Sequence, residues 1–292
     1  MKKNITFAFA ITLVFIFLMK LTCSCSSGES NDASKKENSN DSKKINITLL
    51  IDLSDRIIRP NPNQLNIDLD IAEFLTKSFT DSCMHWESSI KGNGLQNAEH
   101  SFKIMFYPEP NDPSVNSLAA KLQIDASNIP QGKEKLHIIK DAPDTIRHNL
   151  NQIYNIATKA GNFHGSDIWG FFDSGDVEAQ CIRKDYRNIL VILTDGYLYE
   201  RSNLIHNGNS TNYITDAVLK NPNSGLIANR NNLNNLEVLI LEINPKDPHH
   251  LQKMKSLLTD WIKKQGVKHC EVTKTQLQVN TQTTINNFLN NK

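Results

Sequence analysis

The feature that most constrains the fold is a set of short apolar segments rich in β-branched residues. INITLLI (45–51), ILVIL (189–193) and VLIL (238–241) show almost no alternation of polar and apolar positions. Such segments are typical of strands that are buried on both faces, as in a parallel sheet. Two further strands are predicted at 102–107 (FKIMFY) and 267–272.

Helical patterns lie between these strands. Apolar residues recur at helical spacing after Pro62 and after Pro143, and a third helix is predicted to begin with Asp247 as its cap and Pro248 at its first position. A last helix is predicted over 275–290. Because strands alternate with helices, the sequence predicts an α/β fold with a mostly parallel sheet and helices on both of its faces.

The composition is that of an ordinary globular protein. Of 292 residues, 39% are apolar and 22% are charged, and the formal net charge is +1, which excludes a generally cationic nucleic-acid binder. We expect no nucleic-acid partner. Three polar stretches, 84–101, 108–135 and 197–235, are too long for simple connections and are predicted to be insertions in one domain that spans 45–292.

The N-terminus has the pattern of a targeting signal. Two lysines precede a continuous apolar run over residues 5–19, which is short for a membrane-spanning helix but fits the core of a signal peptide. Residues 1–24 are therefore predicted to be a signal peptide. Residues 25–44 hold almost no apolar side chains and are predicted to be a disordered tether.

The end of this run resembles the signal of bacterial lipoproteins, in which a Cys after a small residue becomes the acylated first residue. Cys25 follows Ser24 and fits this pattern better than Cys23, although Thr22 replaces the usual Leu or Val. The resemblance implies lipidation of Cys25, with palmitate as one expected acyl chain, and a place in the bacterial cell envelope, at the outer membrane or cell surface. Membrane contact would then be through the lipid alone. An ordinary cleaved signal and a short membrane anchor are the alternatives.

Acidic residues follow two of the predicted strands. Asp52 comes directly after the first strand, Asp195 follows 189–193, and the segment HGSDIWG (164–170) lies between them in sequence. In an open parallel sheet, ligands bind beyond the carboxyl ends of the strands. Carboxylates and hydroxyls that meet at such an edge suit a hard divalent cation such as Mg²⁺ or Mn²⁺.

In these segments the chain resembles the von Willebrand factor type A family. That family has a buried strand ending in Asp-x-Ser-x-Ser, a later Gly-Thr-Asp loop and a strand ending in Thr-Asp-Gly; this chain has ITLLIDLSDR, HGSDIWG and ILVILTDGY in the same order. The resemblance covers 45 to about 290. It implies a doubly wound α/β fold with a six-stranded sheet, and a metal-ion-dependent adhesion site at which a carboxylate of a protein partner completes the coordination of a divalent cation.

Carried over residue by residue, the resemblance assigns four metal ligands: Asp52, Ser54, Ser166 and Asp195. Arg56 departs from the pattern, because it stands where the family has its second Ser and a guanidinium cannot ligate a cation. Arg56 is expected either to turn outward or to pair with Asp55, Asp167 or Asp195 and so replace the charge of the metal. Asp55, Asp167 and Arg56 are therefore predicted to modulate the site.

The resulting functional hypothesis is a lipid-anchored binding module with a degenerate adhesion site that holds a protein partner at its strand-end face. No catalytic residue is predicted. One alternative is a metal-dependent hydrolase that uses the same acidic cluster, for which His164 is the nearest candidate base. The other alternative is a structural envelope protein without metal.

The cysteines that remain after the proposed processing are few. Cys83, Cys181 and Cys270 allow at most one disulfide and leave at least one free thiol. Cys270 falls in a predicted strand and is expected to be a buried structural thiol.

Overall fold

The computed structural model describes residues 44–58, 61–85, 94–160, 166–197, 206–207, 210–211, 231–245 and 247–291. A six-stranded sheet has the order β3-β2-β1-β4-β7-β8. Its strands are β1 (Lys44–Ile51), β2 (Ser101–Met105), β3 (Gln123–Asp125), β4 (Tyr186–Leu193), β7 (Leu236–Ile243) and β8 (His269–Lys274). Neighbouring strands are parallel except for β2 and β3. Two short strands, β5 (His206–Asn207) and β6 (Ser210–Thr211), pair with each other.

Eight α-helices accompany the strands in the described part of the chain. They are α1 (Gln64–His85), α2 (Pro113–Ala119), α3 (Lys133–Lys140), α4 (Ala142–Ala160), α5 (Ile168–Asp173), α6 (Asp176–Cys181), α7 (Leu251–Lys264) and α8 (Gln278–Asn290). Short 3-10 turns occupy Asp55–Ile57, Gly94–Asn97 and Pro248–His250. The predicted α/β doubly wound fold, with a mostly parallel sheet of six strands and helices on both faces, is confirmed.

The strands are continuously apolar because both faces of the sheet are covered. Along β1, Ile47, Leu49 and Ile51 face one apolar cluster, whereas Leu50 faces the other. The first cluster includes side chains of α1, α4 and α8, and the second includes side chains of α5, α6 and α7. With both faces buried, every position along a central strand favours an apolar residue, which gives the pattern seen in the sequence.

The polar stretch 108–135 is more than an insertion. It contains α2, which Asp112 caps by accepting hydrogen bonds from the backbone of Ser114 and Val115, and it contains β3, an edge strand of the central sheet. Three residues are too few to show a strand period, so the sequence pattern missed this strand. Stretch 84–101 holds the end of α1, a 3-10 turn and the first residue of β2, while stretch 197–235 holds β5 and β6.

Several predictions concern residues outside the described ranges. The signal peptide, almost all of the tether over 25–44, the lipidated Cys25 and the base candidate His164 are among them. Among the helices that the structure describes, none combines the length and apolar character that a membrane crossing requires.

The three described cysteines are free thiols. Cys83 and Cys181 are fully buried, and burial raises the pKa of each thiol to about 12. Cys270 is half-buried, contrary to the expectation of a buried thiol, because it lies on β8, which is an edge strand of the sheet.

Candidate functional site

The predicted acidic residues meet where the strand order reverses. From β1 the chain builds β2 and β3 on one side of the sheet, and β4, β7 and β8 on the other. The crevice between the carboxyl ends of β1 and β4 is thus the topological switch point, where ligands bind in open α/β sheets. Asp52 directly follows β1, and its backbone N–H donates to the carbonyl of Leu193, at the end of β4, over 3.0 Å.

Asp52 is held rigidly at this point and is only 2% exposed. Its Oδ1 accepts from the backbone N–H of Ser54 at 3.0 Å, and its Oδ2 accepts from the hydroxyl of Thr194 at 3.0 Å. Burial raises the pKa of Asp52, although the charge of Arg56 and these hydrogen bonds oppose the rise. Thr194 has no role among the residues predicted from the sequence, although it belongs to the Thr-Asp-Gly segment that follows β4.

Asp195 is half-buried beside Asp52 at the end of β4. Its Oδ1 accepts from the backbone N–H of Tyr197 at 3.2 Å. Burial, together with the charge of the neighbouring Asp52, raises the pKa of Asp195 to about 7. Two carboxyls therefore share the switch point, and the charge of Arg56 only partly offsets the effects of burial and of Asp52 on Asp195.

The following Gly196 is required by the turn. Its φ is +102°, a conformation that residues with a Cβ rarely adopt, and a Cβ there would lie 2.3 Å from Sδ of Met254. The turn is thus packed closely against α7, which fixes the backbone that carries Asp195.

Ser54 and Asp55 begin the 3-10 turn that follows β1. The hydroxyl of Ser54 accepts from the backbone N–H of Arg56 at 3.4 Å, and its side chain is half-buried. Asp55 is exposed at the rim of the switch point. The Ser54 hydroxyl therefore lies at the strand end, where it also hydrogen-bonds the Asp52 carboxylate and so opposes the rise in its pKa.

Ser166 and Asp167 lie at the carboxyl end of β2, the strand next to β1. The backbone N–H of Asp167 donates to the carbonyl of Tyr107, two residues beyond β2, over 2.9 Å. Asp167 caps α5 by accepting from the backbone N–H of Gly170 at 2.8 Å, and Ser166 is buried. The structure thus brings all four predicted ligands to the carboxyl edge of the sheet, while Asp167 serves as a helix cap.

Arg56 does not behave as predicted. It is 3% exposed, so it does not turn outward, and its Nη2 pairs with Oδ2 of Asp68 at 2.7 Å rather than with Asp55, Asp167 or Asp195. Its Nε donates to the backbone carbonyl of Asp52 at 3.1 Å and lies 4.0 Å from the Asp52 carboxylate. Asp68, a buried acid on α1, forms the shortest ion pair with Arg56. The guanidinium is therefore buried and does not lie at the exposed rim of the switch point.

Asp68 is the centre of a buried polar network that the sequence did not reveal. Besides Arg56, it accepts from the hydroxyl of Tyr154 at 2.8 Å and from Nε2 of Gln64 at 3.0 Å. Burial pushes the pKa of Arg56 down, but the charges of Asp68 and Asp52 outweigh it, and the pKa lies above its ordinary value. Polar residues on an amphipathic helix usually face solvent, so nothing in the α1 pattern marked Asp68 or Gln64 as buried.

Glu242 extends this network into β7 in an unusual conformation. It is 1% exposed, its φ is +70°, and the ladder between β7 and β8 shifts register between Ile240 and Ile243. Its Oε2 accepts from Gln64 at 3.4 Å, while Oε1 has no hydrogen-bond partner within the described structure. Burial raises its pKa to about 7. In the sequence, the only indication of this buried acid is a glutamate within the otherwise apolar end of the segment LEVLILEI.

The donor set at the switch point fits a hard cation better than a soft one. Among the described residues, no group of three or more His, Cys, Asp or Glu side chains is arranged to hold a metal ion. The predicted set consists of two carboxylates and two hydroxyls, all oxygen donors, which suits a cation that retains several waters. Asp195 also lies beside the charge of Asp52, which is one of the causes of its raised pKa.

Comparisons with known proteins identify no close relative. No protein-family model matches the sequence, and no curated protein matches it. Similar solved structures include an aerotolerance-related membrane protein from Bacteroides fragilis NCTC 9343, carrying multiple mutations to serines, with a TM-score of 0.38 and 12% identity over 84% of this chain and 98% of that chain.

Two crystal structures of the pilus adhesin SpaC from Lactobacillus rhamnosus GG are also similar. Each has a TM-score of 0.42 over 84% of this chain, with 12% identity in one form and 14% in the open conformation. This chain covers only 30% and 29% of the two SpaC chains. At such TM-scores the similarities are too weak to carry an argument about function.

Proposed function

We propose that this protein is a lipid-anchored binding module of the von Willebrand factor type A kind, which holds a protein partner at the carboxyl ends of β1 and β4. The observation that carries the proposal is the pair formed by Asp52 and Asp195 at the topological switch point. Both carboxyls lie at the carboxyl edge of the sheet, and Asp195 remains partly accessible. An acidic crevice of this kind favours a cation.

The position of Arg56 supports a site that still accepts a cation. The guanidinium is closest to Asp68, at 2.7 Å, and is 4.0 Å from the Asp52 carboxylate. Its single positive charge is therefore shared between two acids, so ionisation of Asp195 leaves the crevice net negative. A metal-free structural role would be better supported if Arg56 faced Asp195 directly.

The chain's own groups would prepare the site before a partner arrives. Asp52, Ser54, Ser166 and Asp195 would hold a divalent cation, which supplies a positive charge for a carboxylate of the partner. Thr194 and the backbone of Ser54 orient the Asp52 carboxylate, and Gly196 fixes the turn that carries Asp195. The hydrolase alternative stays a prediction, because its candidate base His164 lies outside the described residues.

The cation test is a melting experiment on the full-length chain with millimolar Mg²⁺ or Mn²⁺. A ligand that binds only the folded state stabilises it, by about 2.7 kcal/mol at a concentration of 100 times Kd. Asp195→Asn should remove this stabilisation, whereas Asp81→Asn, which changes an exposed acid on α1, should keep it. Absence of any response in the wild type would exclude the cation and leave a metal-free module.

A second arm of the same test addresses the partner. A photo-crosslinker attached to Asp55→Cys, at the rim of the switch point, should capture one protein of the cell envelope, and Asp195→Asn or a chelator should abolish the capture. Ser127→Cys, an exposed position far along the sheet, provides the control. Equal capture from both positions would contradict a cation-dependent partner site. The same holds if capture by Asp55→Cys is unchanged by Asp195→Asn and by the chelator.

The lipid anchor rests on the N-terminal sequence alone. We expect a fatty-acid analogue supplied to cells to label the wild-type chain, and the label to disappear in Cys25→Ser. Cys23→Ser serves as the matched control and should keep the label. Loss of label only in Cys23→Ser would move the site by two residues, and labelling of both variants would refute acylation at a single signal Cys.

A further inference from the structure

A second cleft lies away from the strand-end site. It has a volume of about 590 Å³ and is lined by parts of β2, β3, α3 and α6. Asn46, near the start of β1, contributes to it. Six residues of strand separate Asn46 from Asp52, which corresponds to about 20 Å. The volume is in the range of small-molecule binding sites.

Lys103 of β2 projects into this cleft as a half-buried cation. Its Nζ donates to Oε1 of Gln180 on α6 over 3.0 Å, so the partner that the described structure provides is a neutral amide. Burial lowers the pKa of Lys103. An ammonium has three donors, and withdrawing it from water without a counter-ion costs free energy that a bound anion would recover.

The nearby acid in the cleft is already engaged. Oδ2 of Asp125 accepts from Nη1 of Arg183 at 2.9 Å and from Asn128 at 3.1 Å, and its Oδ1 accepts from the hydroxyl of Ser127 at 2.6 Å. The guanidinium of Arg183 also lies 4.3 Å from the centre of the Tyr186 ring. Asp125 thus balances Arg183, and the charge of Lys103 remains for another anion.

We infer that this cleft binds a small organic carboxylate, which pairs with the Lys103 ammonium and places its apolar part against Ile129 and Ile138. Both isoleucines line the cleft, and Ile138 is 40% exposed, so its apolar side chain is accessible to a ligand. The cleft therefore combines one unbalanced cation with an apolar wall, the pattern of a site that fixes an anionic head and an apolar body. This site is independent of the proposed strand-end function.

The inference is tested by saturation-transfer NMR with benzoate on the full-length chain, with benzamide as its neutral counterpart. The wild type should bind benzoate at least ten times more tightly than benzamide. Lys103→Met should remove this preference, and Lys253→Met, which removes an exposed charge on α7, should keep it. Equal binding of the two probes by the wild type, or no binding of benzoate, overturns the inference.

A second variant keeps the inference testable if Lys103→Met fails to fold. Gln180→Glu places a carboxylate beside the ammonium, at an exposed position of α6, and supplies an internal counter-ion. It should abolish benzoate binding without lowering the melting temperature. Undiminished benzoate binding by a folded Gln180→Glu protein would show that Lys103 does not hold the anion and would also overturn the inference.

Discussion

Replacing Arg56 by Met should destabilise the protein by about 3–5 kcal/mol, the usual effect of removing one partner of a buried ion pair. Without the guanidinium, Asp68 would remain fully buried with only Tyr154 and Gln64 as donors. Asp52 would lose its nearest cation as well. The free energy of unfolding from urea titration at neutral pH measures this effect.

Arg147→Met is the matched control. Arg147 also contacts two acids, Asp70 and Glu73, both at 2.8 Å, but its side chain is 35% exposed. Pairs of that kind contribute roughly 0–1 kcal/mol because water and salt screen them. Similar losses from Arg56→Met and Arg147→Met would contradict the buried network.

A double-mutant cycle identifies Asp68 as the partner. Asp68→Asn should cost much less in the Arg56→Met background than in the wild type, because the charge it removes is then already uncompensated. Additive losses would show that the two residues are not coupled.

The network also affects the interpretation of Arg56→Ser, which restores the hydroxyl of the family pattern. This substitution would leave Asp68 without its ion pair. Its effect on cation affinity must therefore be measured separately from the loss of stability.

Replacing Glu242 by Gln should stabilise the protein at pH 8 by roughly 3–4 kcal/mol, since one pKa unit corresponds to about 1.4 kcal/mol. Burial raises the pKa of Glu242 from 4.5 to about 7. Between these values the folded state binds more protons than the unfolded state, so this contribution to wild-type stability is complete below about pH 4 and is lost as the pH rises through 7. The advantage of Glu242→Gln should therefore vanish near pH 4.

Glu237→Gln provides a control with the opposite sign. Burial pushes the pKa of Glu237 up, but hydrogen bonds from Arg187 and His269 outweigh it and lower the pKa below its ordinary value. This substitution should destabilise the protein at neutral pH, and its cost should decrease as the pH falls through the lowered pKa. The same pH dependence for Glu242→Gln and Glu237→Gln would contradict this explanation. It would show that the buried, unsatisfied carboxyl of Glu242 is not the cause of the predicted stabilisation.

The conformation of Glu242 has a separate consequence for these measurements. A φ of +70° is unfavourable for a residue with a Cβ, and Gln retains that strain. The comparison of Glu with Gln therefore isolates the charge from the backbone. Glu242→Gln and Asp195→Asn each change a carboxyl near the switch point. Their pH profiles should therefore be recorded without a divalent cation, so that cation binding does not alter the measured stability.

The amino-acid sequence was enough to predict five of the six strands of the central sheet and to place two acidic residues at strand ends. Continuous apolar segments with Asp52 and Asp195 directly after them predict buried parallel strands, and β1 and β4 prove to be neighbours at the switch point. Such information is local, because a strand needs only a run of residues whose side chains suit two buried faces. The short elements β3, α5 and α6 give too few residues for a period to appear.

Which charges compensate each other depends on the packing of the helices against the sheet. Asp68, Gln64 and Tyr154 lie on helices that the sequence describes as separate amphipathic segments, and only their packing against the sheet encloses Arg56 among them. Burial and ion pairing depend on distances between residues far apart in the chain. A pattern of spacing within one helix or strand cannot report those distances, and for this reason the partner of Arg56 emerged only from the fold.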